Sequence, residues 1–171
     1  MSNLTLLIPA KFESESLPIF LEELKSYDYK KLIILDERDI KTIDSIKPFE
    51  NIEILNQKKS GYGNALIEGI NHVKTDFYIF TSLGKVFFNL KISDILYTYL
   101  IGKTEIIKKL DLISGDFSFC VELPIKVQRK NYKYDTYPCY ERKRIAGKKK
   151  VNPFLDGFKI LLSMVNLFLK R

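Results

Sequence analysis

Three short apolar runs decide the fold: Thr5-Leu6-Leu7-Ile8-Pro9, Leu32-Ile33-Ile34-Leu35 and Phe77-Tyr78-Ile79-Phe80. None of them alternates apolar with polar residues, which is typical of strands covered by helices on both faces. Helical spacing of apolar residues follows the first run in Leu17–Leu24 and precedes the third in residues 64–73. This alternation predicts an α/β fold with a mostly parallel sheet and flanking helices.

The remaining elements are less regular. They are predicted as a third strand around Ile52 and Ile54, a helix capped by Asn64, a short helix capped by Thr104, a helix over Phe117–Lys130 that Pro124 starts or kinks, and an edge strand over Lys133–Tyr137.

The C-terminal residues predict one amphipathic helix. Asn152 is a suitable N-cap and Pro153 suits the first helical position. The apolar face is formed by Phe154, Phe158, Leu161, Val165 and Phe168. Such a helix lies in a membrane interface, docks on the sheet or contacts a second copy, and the sequence leaves these alternatives open. We therefore divide the chain into an α/β domain, residues 1–151, and this helix, residues 152–171.

The charge of the chain is concentrated in one segment. The net charge is +7, and residues 124–150 carry ten Lys or Arg against two acids. We call residues 124–150 the basic segment. A concentrated positive charge indicates an anionic partner, such as a phosphate, a nucleic acid or a lipid headgroup, although a solvated loop has the same composition. The single histidine excludes multi-histidine metal sites, and two cysteines are too few for a disulfide framework, which favours the cytoplasm.

Polar residues follow the predicted strands where an open parallel sheet binds its ligands. Pro9, Ala10 and Glu13 follow the first strand, and Asp36 and Glu37 follow the second. The carboxylates are suited to accept hydrogen bonds from a base and a ribose, or they are acids placed at helix N-termini. After the third strand, the stretch 61–65 reads Gly-Tyr-Gly-Asn-Ala and would let backbone amides approach a phosphate.

In this order, the motifs resemble family 2 glycosyltransferases of the GT-A type. The subgroup that the chain is most similar to uses polyprenyl (dolichyl-type) phosphate acceptors. The matching stretches are Ile8-Pro9-Ala10 with Glu13, Ile34-Leu35-Asp36-Glu37, Gly61–Ala65, Thr75-Asp76-Phe77, Asp116-Phe117-Ser118 and Arg144 with Gly147, Lys149 and Lys150.

The resemblance implies roles for individual residues. It implies a GT-A fold (a nucleotide-diphospho-sugar transferase-like fold) and sugar transfer from a nucleoside-diphosphate sugar as the donor. The donor's base and ribose would be held by Pro9, Ala10, Glu13, Asp36 and Glu37, and the donor site would be lined by Gly61, Gly63 and Asp76. Asp94 would contact the sugar or the acceptor, and Arg144 and Lys150 would clamp phosphate.

The chain departs from the family where the metal would bind. The family places an Asp-x-Asp pair after the fourth strand for Mg²⁺ or Mn²⁺, and here those positions read Ser82-Leu83-Gly84. The interval from Phe80 to Asp94 is also too short for the family's acceptor region, so the chain resembles a shortened family member with an internal deletion. A degenerate relative, a deleted gene product and a minimal enzyme that uses lysines instead of a metal all fit this pattern.

Two functions follow as expectations. The first is a glycosyltransferase that transfers sugar to a (poly)prenyl-phosphate or glycan acceptor, located in the cytoplasm or peripherally at the inner face of the membrane. The second is a catalytically inactive domain with a nucleotide-sugar-binding or regulatory function. A third reading, a single-stranded nucleic-acid binder, rests on tyrosines within the basic segment. The motif order favours the first two, and we expect no nucleic-acid partner.

Overall fold

The computed structural model describes residues 3–81, 99–135 and 152–169. Five strands form one sheet in the order β3-β2-β1-β4-β5. The first four are mutually parallel, and β5 pairs antiparallel with β4. Their bounds are β1 Leu4–Pro9, β2 Lys30–Leu35, β3 Ile52–Asn56, β4 Phe77–Thr81 and β5 Tyr99–Lys103. The prediction of a mostly parallel α/β sheet is confirmed, whereas β5 was not predicted.

Six helices accompany these strands in the described ranges. Their bounds are α1 Ser16–Glu23, α2 Ile40–Ile46, α3 Tyr62–His72, α4 Thr104–Lys108, α5 Phe119–Arg129 and α6 Pro153–Leu169.

Strands β1 and β2 are central because they are apolar on both faces. Leu7 pairs with Leu32 in register and packs toward α3, α4 and α5. Ile8 pairs with Ile33, and both pack toward α1 and α2 on the other face. Strand β3 lies at the edge of the sheet and is less buried than β1 and β2, since Ile54 is 40% exposed. An edge strand has a neighbour on one side only, so less of it is covered.

Two predicted caps are wrong. Helix α3 begins at Tyr62 and its N-cap is Gly61, with a φ of 126° that favours glycine. Asn64 therefore lies inside the helix, where its Nδ2 donates to the Ser60 carbonyl at 2.9 Å. Helix α4 is preceded by Lys103 as N-cap, so Thr104 is its first residue. Helix α4 therefore begins one residue earlier than predicted, and the Thr104 N–H donates to the carbonyl of Asp76 at 2.8 Å.

Three other elements complete the comparison with the prediction. Helix α2 was missed, although Asp39 caps it through the Thr42 N–H. Pro124 lies inside α5, so of the two predicted alternatives it does not start the helix. The proposed edge strand over Lys133–Tyr137 is not formed in its described part, residues 133–135, because these residues pair with no strand of the sheet.

The C-terminal helix α6 begins as predicted. The N–H groups of Phe154 and Leu155 each donate to Asn152 Oδ1 at 3.1 Å, and the Asn152 N–H donates to Asp156 Oδ2 at 2.8 Å. This reciprocal arrangement satisfies amide donors that the first helical turn leaves unpaired. Helix α6 contacts α5. Within the described part of the chain, no helix is both long and apolar enough to cross a membrane.

Candidate functional site

The sheet has a topological switch point between β1 and β4. From β1 the chain moves outward through β2 and β3, and it then returns to place β4 on the other side of β1. In open α/β sheets, ligands bind at the carboxyl ends of the strands beside such a point. The relevant strand ends are therefore Pro9, Leu35 and Thr81.

The loop after β1 is held tightly against the loop after β2. The Ala10 N–H donates to the Ile34 carbonyl at 2.8 Å, which extends the parallel pairing beyond Pro9. The Phe12 N–H donates to Asp39 Oδ2 at 2.6 Å, and the Glu13 N–H donates to Thr42 Oγ1 at 2.9 Å. The two loops therefore form one ordered surface at the carboxyl edge.

Phe12 presents an aromatic ring at this edge. Its φ of 53° lies in the left-handed region, which costs free energy in a residue other than glycine. The hydrogen bond to Asp39 holds this backbone conformation. The ring is 67% exposed, and Lys11 Nζ lies 5.7 Å from its centroid. The sequence reasoning did not identify Phe12, since no spacing rule indicates a left-handed residue in a loop.

Glu13 is buried beside this loop. Its carboxylate accepts a hydrogen bond from the Ser16 hydroxyl at the start of α1. The structure therefore brings Pro9, Ala10 and Glu13 to the switch point, as the sequence predicts, but Glu13 lies beneath the surface instead of facing solvent.

Asp36 follows β2 and is paired with Arg38. Arg38 donates from Nε at 2.8 Å, from Nη2 at 2.5 Å and from its backbone N–H at 3.0 Å. The side-chain hydrogen bonds from Arg38 are the main reason that the pKa of Asp36 lies well below its ordinary value, and the charge of Lys11 adds to this effect. Asp36 is thus a carboxylate at neutral pH. Glu37 beside it is exposed.

The carboxylates of this edge do not fit a divalent cation. Asp36 accepts from Arg38, Asp39 accepts from two backbone N–H groups, and Glu13 accepts from Ser16. A guanidinium in direct contact with the carboxylate repels a metal ion from the same oxygens. In residues 3–81, 99–135 and 152–169, no group of three or more His, Cys, Asp or Glu could hold a metal.

The two glycines before and within α3 have a packing role. A Cβ on Gly61 would lie 2.2 Å from the Gly115 carbonyl oxygen, and one on Gly63 would lie 2.0 Å from that of Ser114. The Asn64 N–H donates to the Gly115 carbonyl at 3.1 Å, which removes it from the amides that a phosphate could use. The loop follows the edge strand β3 and leads into α3, which packs on β1 and β2. Gly61 and Gly63 therefore allow residues 114–116 to pack closely against the start of α3.

Glu122 fixes the segment that covers these glycines. Its carboxylate accepts from the backbone N–H of Ile113 at 3.0 Å and of Ser114 at 2.7 Å, and Lys126 Nζ lies at 2.7 Å. Burial raises the pKa of Glu122, but the hydrogen bonds from Lys126, Ser114 and Ile113 outweigh it and hold the pKa below the ordinary value. Glu122 is therefore a buried carboxylate that positions residues 113–116.

Asp76 lies at the opposite edge of the sheet from the switch point. It precedes β4, and its carboxylate accepts from the Asn3 side chain while its N–H donates to Asn3 Oδ1 at 3.1 Å. The structure thus does not bring Asp76 together with Glu13 or Asp36, because a residue before a parallel strand lies at its amino end. Asp94, Arg144, Lys150 and the stretch 82–84 lie outside the described residues.

Comparisons with known proteins identify the fold. No protein-family profile matches the chain, and no curated protein matches it. Among solved structures, the chain is similar to 4-diphosphocytidyl-2C-methyl-D-erythritol synthase from Anaerococcus prevotii DSM 20548, with a TM-score of 0.55 and 12% identity over 98% of this chain and 96% of that chain. The fold is nucleotidyltransferase-like. At this identity the similarity shows the fold alone, and the resemblance to family 2 glycosyltransferases stays a prediction.

Proposed function

We propose that this chain is a nucleotide-sugar-binding domain of the GT-A type that transfers a sugar to a (poly)prenyl-phosphate or glycan acceptor. The observation that carries the proposal is the ordered polar surface at the switch point, formed by the loops after β1 and β2. The similar solved structure supports it, since the name of that synthase describes a product with a diphosphocytidyl group.

The side chains of this surface have the chemistry that a nucleoside diphosphate requires. A carboxylate offers about four acceptor positions, so Asp36 is able to accept from a ribose hydroxyl or a base N–H while it keeps Arg38. Arg38 and Lys11 supply positive charge beside it for a diphosphate. The carboxylates here do not fit a metal, so the proposal contains no metal step.

The acceptor and the location belong to the same proposal. An anionic phosphate acceptor needs cationic partners more than a general base. The basic segment, including Arg144 and Lys150, supplies such cations in the sequence. Asp94 stays a candidate contact to the sugar or the acceptor. Transfer to a polyprenyl phosphate would take place peripherally at the cytoplasmic face of a membrane.

Calorimetry tests donor binding most directly. We expect binding of at least one UDP-, GDP- or CDP-sugar, weakened about tenfold or more by Asp36→Asn, because a hydrogen bond to a charged group is lost. Asp28→Asn is the matched control, since Asp28 is exposed and lies just before β2 at the other edge of the sheet. Failure of all three donors to bind, with and without Mn²⁺, would contradict the proposal.

A catalytically inactive nucleotide-sugar-binding or regulatory domain is the second candidate. The observation that favours it is Ser82-Leu83-Gly84 at the positions where the family carries its Asp-x-Asp pair. Incubation of the full chain with a bound donor and a polyprenyl phosphate separates the two candidates. Formation of the glycolipid excludes the inactive domain, and donor binding without transfer supports it.

A further inference from the structure

Helix α6 displays a continuous apolar stripe to solvent. We call this the outward stripe, and at about 100° per residue its members fall within one arc of about 120°. Its exposure ranges from 47% for Leu162 and Val165 to 88% for Phe154. The members are Phe154, Leu155, Phe158, Leu161, Leu162, Val165 and Leu169.

The opposite side of α6 faces the protein. Asp156, Ile160, Ser163 and Leu167 recur at helical spacing and are half-buried, and α6 contacts α5. Arg129 at the end of α5 donates a hydrogen bond to the Leu167 carbonyl. The helix is therefore attached to the domain through a mixed polar and apolar side, and its most apolar side is exposed.

The charges around α6 indicate what covers the outward stripe. Lys130 and Lys133 are exposed just beyond α5, and Lys159 is exposed beside the stripe. Asp135 is the nearest acid in sequence to this end of α5, and Asp156 lies on the half-buried side of α6. Lys130 and Lys133 belong to the basic segment, which carries ten Lys or Arg against two acids and ends just before α6. An apolar stripe beside a lysine and next to such a segment matches an anionic lipid surface, which accommodates both apolar side chains and cations.

A second copy of the chain fits the stripe less well. Two α6 helices packed through their outward stripes would bring Lys159 and the lysines after α5 of both copies to one interface. Like charges at an interface repel and oppose association. A bilayer with anionic headgroups instead attracts the same residues.

We propose that the outward stripe of α6 docks the protein on an anionic membrane surface. The apolar side chains enter the boundary between headgroups and acyl chains, and Lys159 beside the stripe contacts lipid phosphates. This inference names the surface through which the protein would reach the peripheral location that belongs to the proposed function. It does not depend on nucleotide binding.

Flotation with lipid vesicles tests the proposal on the full chain. We expect binding to vesicles of phosphatidylglycerol and phosphatidylcholine, and weaker binding to phosphatidylcholine alone. Phe158→Glu places a charge in the centre of the outward stripe and is expected to weaken binding about tenfold or more. Ser26→Glu adds the same charge at an exposed position after α1, which packs on the other face of the sheet from α5, and it is expected to change binding less than about threefold.

Three results would overturn the proposal. They are no binding of the wild type to anionic vesicles, equal weakening by the two variants, and a wild-type dimer in solution that Phe158→Glu converts to a monomer. Thermal unfolding of both variants shows whether the fold is retained. Donor calorimetry on the same samples keeps the outcomes distinguishable, because a lipid-binding defect leaves nucleotide-sugar binding unchanged, and a failure to bind donor leaves the vesicle result standing.

Discussion

Helices α3 and α6 are both amphipathic, and the fold uses them in opposite ways. Helix α3 places Leu66 and Ile70 against β1 and β2, where both side chains are fully covered. Helix α6 instead turns Phe158 and Leu161 away from the protein. The difference teaches that an amphipathic pattern predicts a helix with an apolar face, but not the partner of that face. The partner depends on how much of the sheet surface is still uncovered. Because α3, α4 and α5 already cover the face of the sheet on the side of α6, the apolar face of α6 has no sheet surface to pack against.

The same substitution on the two helices gives the largest expected contrast. Leu66 is 0% exposed and Leu161 is 56% exposed. Leu66→Ala is expected to lower the free energy of unfolding by about 2–5 kcal/mol, because it leaves a cavity in the core. Leu161→Ala is expected to change it by less than about 0.5 kcal/mol. Urea denaturation measures both, and a comparable loss for Leu161→Ala would mean that the outward stripe is covered within the protein.

Glu122 holds residues 113–116 against the N-terminus of α3, and its substitution is expected to have a smaller, pH-dependent effect on the free energy of unfolding. Glu122→Gln is expected to cost about 1–3 kcal/mol of unfolding free energy at pH 7, because a buried carboxylate that accepts from Lys126, Ser114 and Ile113 is neutralised.

The pH dependence of this effect has a definite sign. The pKa of Glu122 is lower in the folded chain than in the unfolded one, so its contribution is complete above the unfolded pKa of about 4.3. The contribution is lost as the pH falls through the folded pKa. The unfolding free energies of wild type and Glu122→Gln should therefore approach each other as the pH falls below the unfolded pKa, and converge below the folded pKa. A difference that is constant with pH would show that the charge of Glu122 is not the cause.

The smallest expected effect concerns α6 itself. Gly157 lies within the helix, and a Cβ added there would meet no atom within 4 Å. Gly157→Ala is expected to raise the free energy of unfolding by about 0.5–1 kcal/mol, because alanine loses less conformational entropy in a helix. Gly63→Ala is the contrasting control in α3, since its Cβ would lie 2.0 Å from the Ser114 carbonyl oxygen and should destabilise the protein. Destabilisation by Gly157→Ala would indicate a close contact at that position.

Local patterns predicted the strands well and the capping positions less well. The apolar runs of β1, β2 and β4 were recognised because a buried parallel strand has no polar alternation. The starts of α3 and α4 were missed because they depend on contacts with residues distant in the chain, Gly115 in one case and Asp76 in the other. Helix α2 had a readable signal, in which Ile40, Ile43 and Ile46 follow the capping Asp39 at helical spacing.

The positions of the candidate site residues were also predictable only in part, because strand order places some of them and loop conformation places the others. Pro9, Glu13 and Asp36 were located because residues after adjacent parallel strands must share an edge. The pairing of Asp36 with Arg38 and the exposed ring of Phe12 depend on loop conformation, which no periodicity encodes. Asp76 directly precedes β4 and so lies at the amino end of this strand, away from Glu13 and Asp36, a position that a resemblance of motifs does not reveal.

The amino-acid sequence alone predicts the fold class, the central strands, the capped C-terminal helix and the concentration of charge. These features follow from local chemistry: the hydrophobicity of a run, its period and the residue types at its ends. The folded structure is needed to show that Asp76 lies away from the switch point, that Gly61 and Gly63 allow close packing, and that the apolar stripe of α6 faces outward. Each of these depends on which surfaces remain uncovered once the sheet has formed, and that is a property of the whole chain.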